Sequence, residues 1–448
     1  MNPDLSSINA AAATSPRQAP AGGHATAAGA RRVSPKIVAA TVAGNAMEFY
    51  DFTTYAFFAV YIGKTFFPAS TPFMSLLLSV AVFGVGFVTR PLGGLLIGAF
   101  ADRAGRKPAM ILTIALITVG TLGLAATPSY AQIGVAAPII VVFCRLLQGL
   151  ALGGEVGPST AYLIEVAPPG KRGLYGSWQL ASQGVAGLCA GIVGVLLTLS
   201  LSADQMLAWG WRMPFLLGLV LIPIAIYLRR HMPETLEHAA PHAGTVADRP
   251  RLGHYKRVIV LGPMLIMGST ISTYVSTYMT TYAVSTLKLP AVVAMMATVV
   301  FGLTTWLGSL LGGWLSDHYG RKPVMLWSRV ALMVLTYPVF MMLINNPSFG
   351  LLALATTVLA GLTAIGGAPS VVAIPELFPA SIRALGMSIA YAVGVAVFGG
   401  STQVIVTWLI QATGNPAAPA LYVVATSVVT LIAIVLLPET GRDATLHH

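Results

Sequence analysis

Charge is scarce in this chain of 448 residues. Asp, Glu, Lys and Arg together make up 9% of it, and 56% is hydrophobic. An ordinary soluble domain carries roughly 25% charged residues. So few charges cannot cover the surface of a soluble protein of this length, and the mean hydropathy of +0.79 agrees. The excess apolar residues must face lipid, which makes the chain an all-α polytopic membrane protein. A soluble enzyme, a nucleic-acid-binding domain and a secreted scaffold are excluded. Cysteine is equally scarce. Cys144 and Cys189 both lie in apolar stretches, with neither a disulfide framework nor metal-ligand spacing. No metal and no cofactor are expected.

Acidic residues are the rarer sign, 14 against 25 Lys and Arg, for a net charge of +11. The basic residues sit in short loops between apolar runs, as in the positive-inside pattern of membrane proteins. One side carries Arg103, Arg106, Lys107, Lys171, Arg172, Arg229, Arg230, Arg321, Lys322 and Arg383, and the other little beyond Lys64, Arg212 and Lys288. The first side is expected to be cytoplasmic and to hold both termini. No nucleic acid is expected as a partner. Arg31 and Arg32 precede the first apolar run without a small-residue cleavage site after it, so no cleaved signal peptide is expected.

The pattern predicts helices over 37–63, 73–101, 108–127, 134–165, 173–200, 212–229, 257–286, 291–316, 323–344, 349–376, 383–411 and 418–438. Each is long enough to cross a hydrocarbon core of ~30 Å. The organisation read from this is a disordered tail (1–35), a six-helix bundle (36–230), a polar loop (231–255), a second six-helix bundle (256–438) and a short tail (439–448). The histidines of the loop read as solvated, not as metal ligands. Pro369 and Pro375 are expected to interrupt the tenth helix.

The two halves repeat. Asp102 and Arg106 recur as Asp317 and Arg321, both 215 residues on, within matching G-x-x-x-D-x-x-G-R-K loops. Glu165 and Arg172 recur as Glu376 and Arg383, and Pro-Glu-Thr closes each half at 233–235 and 438–440. A duplicated bundle implies an alternating-access carrier with its site between the halves near the bilayer midplane.

The duplicated G-x-x-x-D-x-x-G-R-K loop resembles the signature of the major facilitator superfamily. Segments 44–52 (GNAMEFYDF), 86–94 (GFVTRPLGG), 145–149 (RLLQG), 153–155 (GGE) and 209–215 (WGWRMPF) resemble its metabolite–proton symporters. The stretch 177–183 (SWQLASQ) is most similar to the citrate and tricarballylate branch, whereas Thr280-Thr281-Tyr282 is similar to α-ketoglutarate carriers. The resemblance implies twelve helices in two pseudo-symmetric bundles and a monomer in a bacterial inner membrane. It also implies proton-coupled uptake of a small organic anion, citrate or a related tricarboxylate. α-Ketoglutarate or another dicarboxylate, and a proline- or betaine-type osmolyte, stay open.

Charges within membrane helices cost roughly 2.5–3.5 kcal/mol each, which makes them candidates for function. Counted along the helices from the cytoplasmic anchors, Glu48, Asp51, Arg90 and Glu155 fall about 15–22 Å deep, and Arg145 about 30 Å, nearer the outer face. Glu48, Asp51 and Glu155 are the proton-site candidates. Arg90 and Arg145 are the anion-site candidates, because a guanidinium fork binds both oxygens of a carboxylate. Asn45, Glu48, Asp51 and Tyr55 share one helix face. Asn45, Tyr55, Gln179, Gln183, Tyr274 and Tyr278 are candidate neutral contacts to substrate. Hydrogen bonding between helices is the competing role for such side chains. Asp102, Arg106, Glu165, Arg172, Asp317, Arg321, Glu376 and Arg383 are expected to form a cytoplasmic gate of ion pairs and helix-end contacts. Neither H-E-x-x-H nor G-x-S-x-G occurs, and Gly63-Lys64-Thr65 lacks the upstream glycine of a P-loop, so no enzyme is expected.

Overall fold

The computed structural model describes residues 35–104, 106–153, 156–230, 256–378 and 383–440. The expected tail up to residue 34, the loop 231–255 and residues 441–448 lie outside them. The first crossing is α1 (Pro35–Phe57) and α2 (Ala59–Phe66), and the second is α3 (Pro72–Val88) and α4 (Arg90–Ala104). The third is α5 (Arg106–Ala126). After the short α6 (Tyr130–Ile133), the fourth comprises α7 (Ala136–Leu152) and α8 (Val156–Glu165). The fifth is α9 (Arg172–Ser200) and, after the short α10 (Ala203–Ala208), the sixth is α11 (Met213–Arg230). The second half runs through α12 (Lys256–Ser285), α13 (Ala291–Tyr319), α14 (Arg321–Asn345), α15 (Phe349–Glu376), α16 (Arg383–Thr413) and α17 (Ala418–Leu436). Among the described residues this makes twelve crossings in an otherwise irregular or turn-linked chain.

Local chemistry sets the ends. Thr71 Oγ1 accepts from the Met74 N–H ahead of α3, with Pro72 as the first helical residue, and Ser348 Oγ accepts from Leu351 N ahead of α15. Gly320 turns the chain between α13 and α14 at φ +95°, a conformation that a side chain would strain. Three expected helices are each divided: the first at Phe58, the second at Thr89 and the fourth after Leu152. The tenth is not. α15 runs through Pro369 and Pro375, both buried, because neighbouring protein covers the backbone that each proline leaves without a bond.

The halves meet along two seams. α9 and α13 pack antiparallel at backbone distance. A Cβ added at Gly184 would stand 2.3 Å from Trp306 N, and one at Gly302 would stand 2.1 Å from Leu188 N. On the other side Gly84 of α3 meets Gly400 of α16, where an added Cβ would fall 2.4 Å from the Gly400 carbonyl. Such contacts require the missing side chain. Between the seams lies an aromatic core in which Phe52, Phe83, Phe87 and Tyr274 pack edge to face or tilted, with centroids 4.6–6.3 Å apart.

Candidate functional site

Arg90 begins α4 and Arg145 lies midway along α7, and the ring of Phe52 is shared by both. The guanidinium carbons stand 4.5 Å and 4.9 Å from its centroid. Arg90 also covers Phe87 at 4.0 Å, and Arg145 covers Tyr55 at 4.4 Å. The electron-rich ring faces partly offset the loss of water around each cation. Both arginines are buried, yet Nε and Nη2 of each lack a hydrogen-bond partner. Buried ionic donors without acceptors are costly. Two of them in one layer form a site able to take an anion.

Asp51 stands beside this layer without pairing directly with Arg145. Gln148 lies between them. Arg145 Nη1 donates to Gln148 Oε1 at 2.8 Å, and Gln148 Nε2 donates to Asp51 Oδ2 at 2.5 Å and to Thr121 Oγ1 at 3.1 Å. Asp51 Oδ1 has no partner. Arg145 therefore shares the layer of Asp51 and Phe52, and its expected position nearer the outer face is corrected. The count along the fourth helix ran through Gly153, where α7 has ended and before α8 resumes. The long arginine side chain then reaches back to the rings of α1.

A cavity of about 20 Å³ opens beside Phe52, lined also by Phe49, Thr53, Gln183, Tyr274 and Thr277. That holds about one water, against roughly 300–1,000 Å³ for small-molecule pockets. Gln183 Nε2 is buried here without a partner. Tyr391 of α16 is near enough to interact with Tyr274, Arg90 and Gln183. Gln403 donates to Thr277 Oγ1 at 3.2 Å and leaves its own Oε1 unpartnered. Tyr391, Gln403 and Gln148 were not singled out as site residues from the sequence. Only Gln148, within R-L-L-Q-G, carried a signal there.

Other candidates meet elsewhere. Asn45 and Gln179 bond reciprocally: Asn45 Nδ2 donates to the Gln179 carbonyl at 3.1 Å, and Gln179 Nε2 donates to Asn45 Oδ1 at 3.0 Å. Ser182 and Ser159 complete this join between α1, α8 and α9. Tyr55 donates to the Ser79 carbonyl at 3.2 Å, so it offers Arg145 its ring face while its hydroxyl is engaged. Thr407 donates to the Tyr278 hydroxyl at 2.9 Å, away from the aromatic core. Glu48 is buried on α1. Glu155 lies outside the described residues. In the second half Arg329 is buried against α12, donating to the Gly268 carbonyl, Ser272 Oγ and Ser269 Oγ.

Of the residues expected to form a gate, Asp317 and Glu376 meet at Arg321. Its guanidinium pairs with Asp317 at 2.8 Å and with Glu376 at 3.2 Å. Asp317 also accepts from the backbone N–H groups of Gly173 and Leu174 at 2.7 and 2.8 Å, which caps the start of α9 from the opposite half. Glu439 accepts from the backbone of Arg321 and Lys322 at 2.7 and 2.8 Å, and Thr440 donates to Glu376 at 2.8 Å. Glu165 and Arg172 are exposed at the ends of α8 and α9. The side chains of Asp102, Arg106 and Arg383 lie outside the described ones.

Two copies of the family described as sugar (and other) transporter match residues 36–242 and 242–445. The chain is 36% identical over 412 residues to a citrate-proton symporter of Klebsiella pneumoniae, covering 91% of this chain and 92% of that one. It is 35% identical over 431 residues to an alpha-ketoglutarate permease of Escherichia coli K12, covering 94% and 97%. It is 33% identical over 425 residues to the proline/betaine transporter of the same strain, covering 91% and 84%. The crystal structure of a D-xylose-proton symporter superposes with a TM-score of 0.74 at 19% identity, covering 90% and 98%, and shares the fold. The chain belongs to the sugar (and other) transporter family of the major facilitator superfamily, in its metabolite–proton symporter branch, and is a multi-pass membrane transporter and not an enzyme.

Proposed function

We propose that the chain is a proton-coupled symporter that imports a small organic acid anion, citrate or a related tricarboxylate. The observation that carries this reading is the pair of buried guanidiniums of Arg90 and Arg145, each with Nε and Nη2 unpartnered, on the shared ring of Phe52. A planar fork fits a carboxylate, and two forks fit a molecule with more than one. The citrate-proton symporter and the alpha-ketoglutarate permease among the relatives support it. A dicarboxylate satisfies the same geometry. A betaine, with a single carboxylate and a positive charge of its own, fits two buried guanidiniums with free donors less well.

Coupling follows from charge. Ionised Glu48, Asp51 and Glu155 with Arg90 and Arg145 sum to −1, and protonation of two acids makes the sum +1. Bound protons then raise affinity for the anion, and by linkage the anion raises affinity for protons. Each net charge crossing 100 mV contributes ~2.3 kcal/mol, against ~1.4 kcal/mol for tenfold accumulation. The contracted cavity admits substrate only when the halves part along one seam, which is alternating access. We place the carrier in a bacterial inner membrane as a monomer, with both termini cytoplasmic.

The test is uptake into proteoliposomes under an imposed proton gradient, with labelled citrate, α-ketoglutarate, shikimate and proline in parallel. Citrate entry that collapses with the gradient is the expected result. Uptake of none of them, or export alone, overturns the proposal.

A further inference from the structure

Arginine donates only, and a carboxylate accepts only. An amide between them therefore has one workable orientation, with Oε1 toward Arg145 and Nε2 toward Asp51, as Gln148 has it. Without the amide, a buried aspartate and arginine this close would form a direct charge-assisted pair, which occupies the faces of both. With it, Arg145 retains two unpartnered nitrogens and Asp51 retains Oδ1. The room for the amide is built in. A Cβ at Gly120 of α5 would stand 2.7 Å from Gln148 Cγ and 3.0 Å from the Cys144 carbonyl, so this helix approaches only because residue 120 is glycine.

We propose that Gln148 is a positioning residue that holds Asp51 and Arg145 apart as an amide-bridged pair, leaving Arg145 free for a substrate carboxylate and directing the proton of Asp51 to Oδ1. The proton goes to Oδ1 because Oδ2 must stay an acceptor for Gln148 Nε2 while Gln148 Oε1 is held by Arg145. Substrate release and proton release then need no rupture of a direct ion pair. The inference rests on the proposed symport for its transport readout alone. The groups facing Asp51 are Tyr50 on α1, Arg145 and Cys144 on α7, and Thr121 on α5. Those facing Arg145 are Tyr55, Arg90 and Tyr274. Asp51 is the carboxylate in this set.

Two substitutions of opposite sign test it. Gln148→Leu removes both ends of the amide and lets Asp51 pair directly with Arg145, which favours the ionised acid. The pH profile of proton-driven uptake is expected to move about one unit to the acid side, with KM raised about tenfold as Arg145 becomes occupied. Gln148→Glu keeps the acceptor toward Arg145 but sets a second carboxylate beside Asp51, and the profile is expected to move about one unit to the alkaline side. A structural role alone would lower uptake in both without moving the profile, and that result overturns the proposal. Infrared titration of the purified, substrate-free protein reads the same shifts through the carboxyl band that Asp51→Asn abolishes. This arm decides the matter even if no organic acid is transported. Should Gln148→Leu fail to fold, Gly120→Ala crowds the Gln148 stem while keeping the amide. An acid shift of the same band supports the proposal, and an unmoved band overturns it.

Discussion

The carboxylate of Asp317, on α13, accepts a hydrogen bond from the backbone N–H of Gly173, on α9, at 2.7 Å, across the join between the halves. With Leu174 N at 2.8 Å it satisfies two of the orphan donors at the start of a long helix, where a negative charge is also favoured by the helix dipole. Asp317 is at the same time held by Arg321. Asp317→Asn keeps one acceptor but loses the charge, weakening this join between the halves by about 1–2 kcal/mol. Maximal transport rate is expected to fall about tenfold, with substrate affinity within about threefold of the original. Initial-rate kinetics in proteoliposomes and equilibrium binding separate the two. A pure affinity loss at normal maximal rate would count against the gate.

The seam between α9 and α13 tolerates no side chain at Gly302, where a Cβ would stand 2.1 Å from Leu188 N and 2.4 Å from its Cα. Both obstructing atoms are backbone, so relief requires the helices to move apart. Gly302→Ala is expected to destabilise the folded protein by about 1–3 kcal/mol, in the range of overpacked cores. Thermal unfolding in detergent should show a lowered Tm, together with loss of uptake. An unchanged Tm would mean that the seam parts without cost. Gly361→Ala is the control, since nothing lies within 4 Å of a Cβ there.

What could be read in the sequence follows its periodicities. Apolar runs mark the crossings, and the internal repeat marks Asp317 and Arg321, 215 residues on from Asp102 and Arg106, and Glu376, 211 on from Glu165, because ion pairs near a duplicated turn leave duplicated residues. The helix break at Phe58 left no mark, since no glycine or proline stands beside it, whereas the break at Thr89 precedes Pro91, which has no N–H to continue the helix. Depth counting misplaced Arg145, because rise per residue says nothing of where a long side chain turns. Neutral polar residues were the least legible. Asn45 and Gln179 proved to be each other's partners, and Gln148 and Tyr391 lie beside the charges. An amide has the same appearance in a sequence whether it joins helices or holds an acid and a base apart. Glu439 was legible only as part of a repeated Pro-Glu-Thr, and its capping of α14 depends on a tertiary return of the chain.

Arg90 sits with its guanidinium carbon 4.0 Å and 4.5 Å from the centroids of Phe87 and Phe52. A planar, weakly hydrated cation suits that slot, and a lysine ammonium, compact and strongly hydrated, does not. Arg90→Lys is therefore expected to reduce uptake of the acid substrate more than tenfold, and Arg90→Gln about a hundredfold or more. Labelled uptake under a fixed proton gradient measures both. Retention of uptake in Arg90→Gln would remove Arg90 from the anion site.

Arg212 lies in the turn just before α11 and ties together ends that the sequence keeps far apart. Its Nε donates to the Ala125 carbonyl at 3.0 Å, Nη2 to Thr127 at 3.0 Å and Nη1 to Ala208 at 2.8 Å, while the guanidinium covers the buried ring of Trp211 at 4.4 Å. Ala125 and Thr127 lie at the C-terminal end of α5, where unpaired carbonyls and the negative end of the dipole favour a cation. Trp211 in turn packs edge to face on Phe66 of α2 and Phe215 of α11. Arg212→Ala frees three acceptors and one ring face at once, for an expected loss of about 1–3 kcal/mol after allowing for partial exposure to solvent. Arg212→Lys restores the charge but cannot reach three carbonyls in different directions, so it is expected to recover less than half of that loss. Because none of these contacts touches the aromatic core or the gate, KM of the folded protein should stay within about twofold. Tm in detergent and uptake kinetics normalised to folded protein test the two halves of this expectation separately. A raised KM at unchanged Tm would show instead that this turn acts on the site.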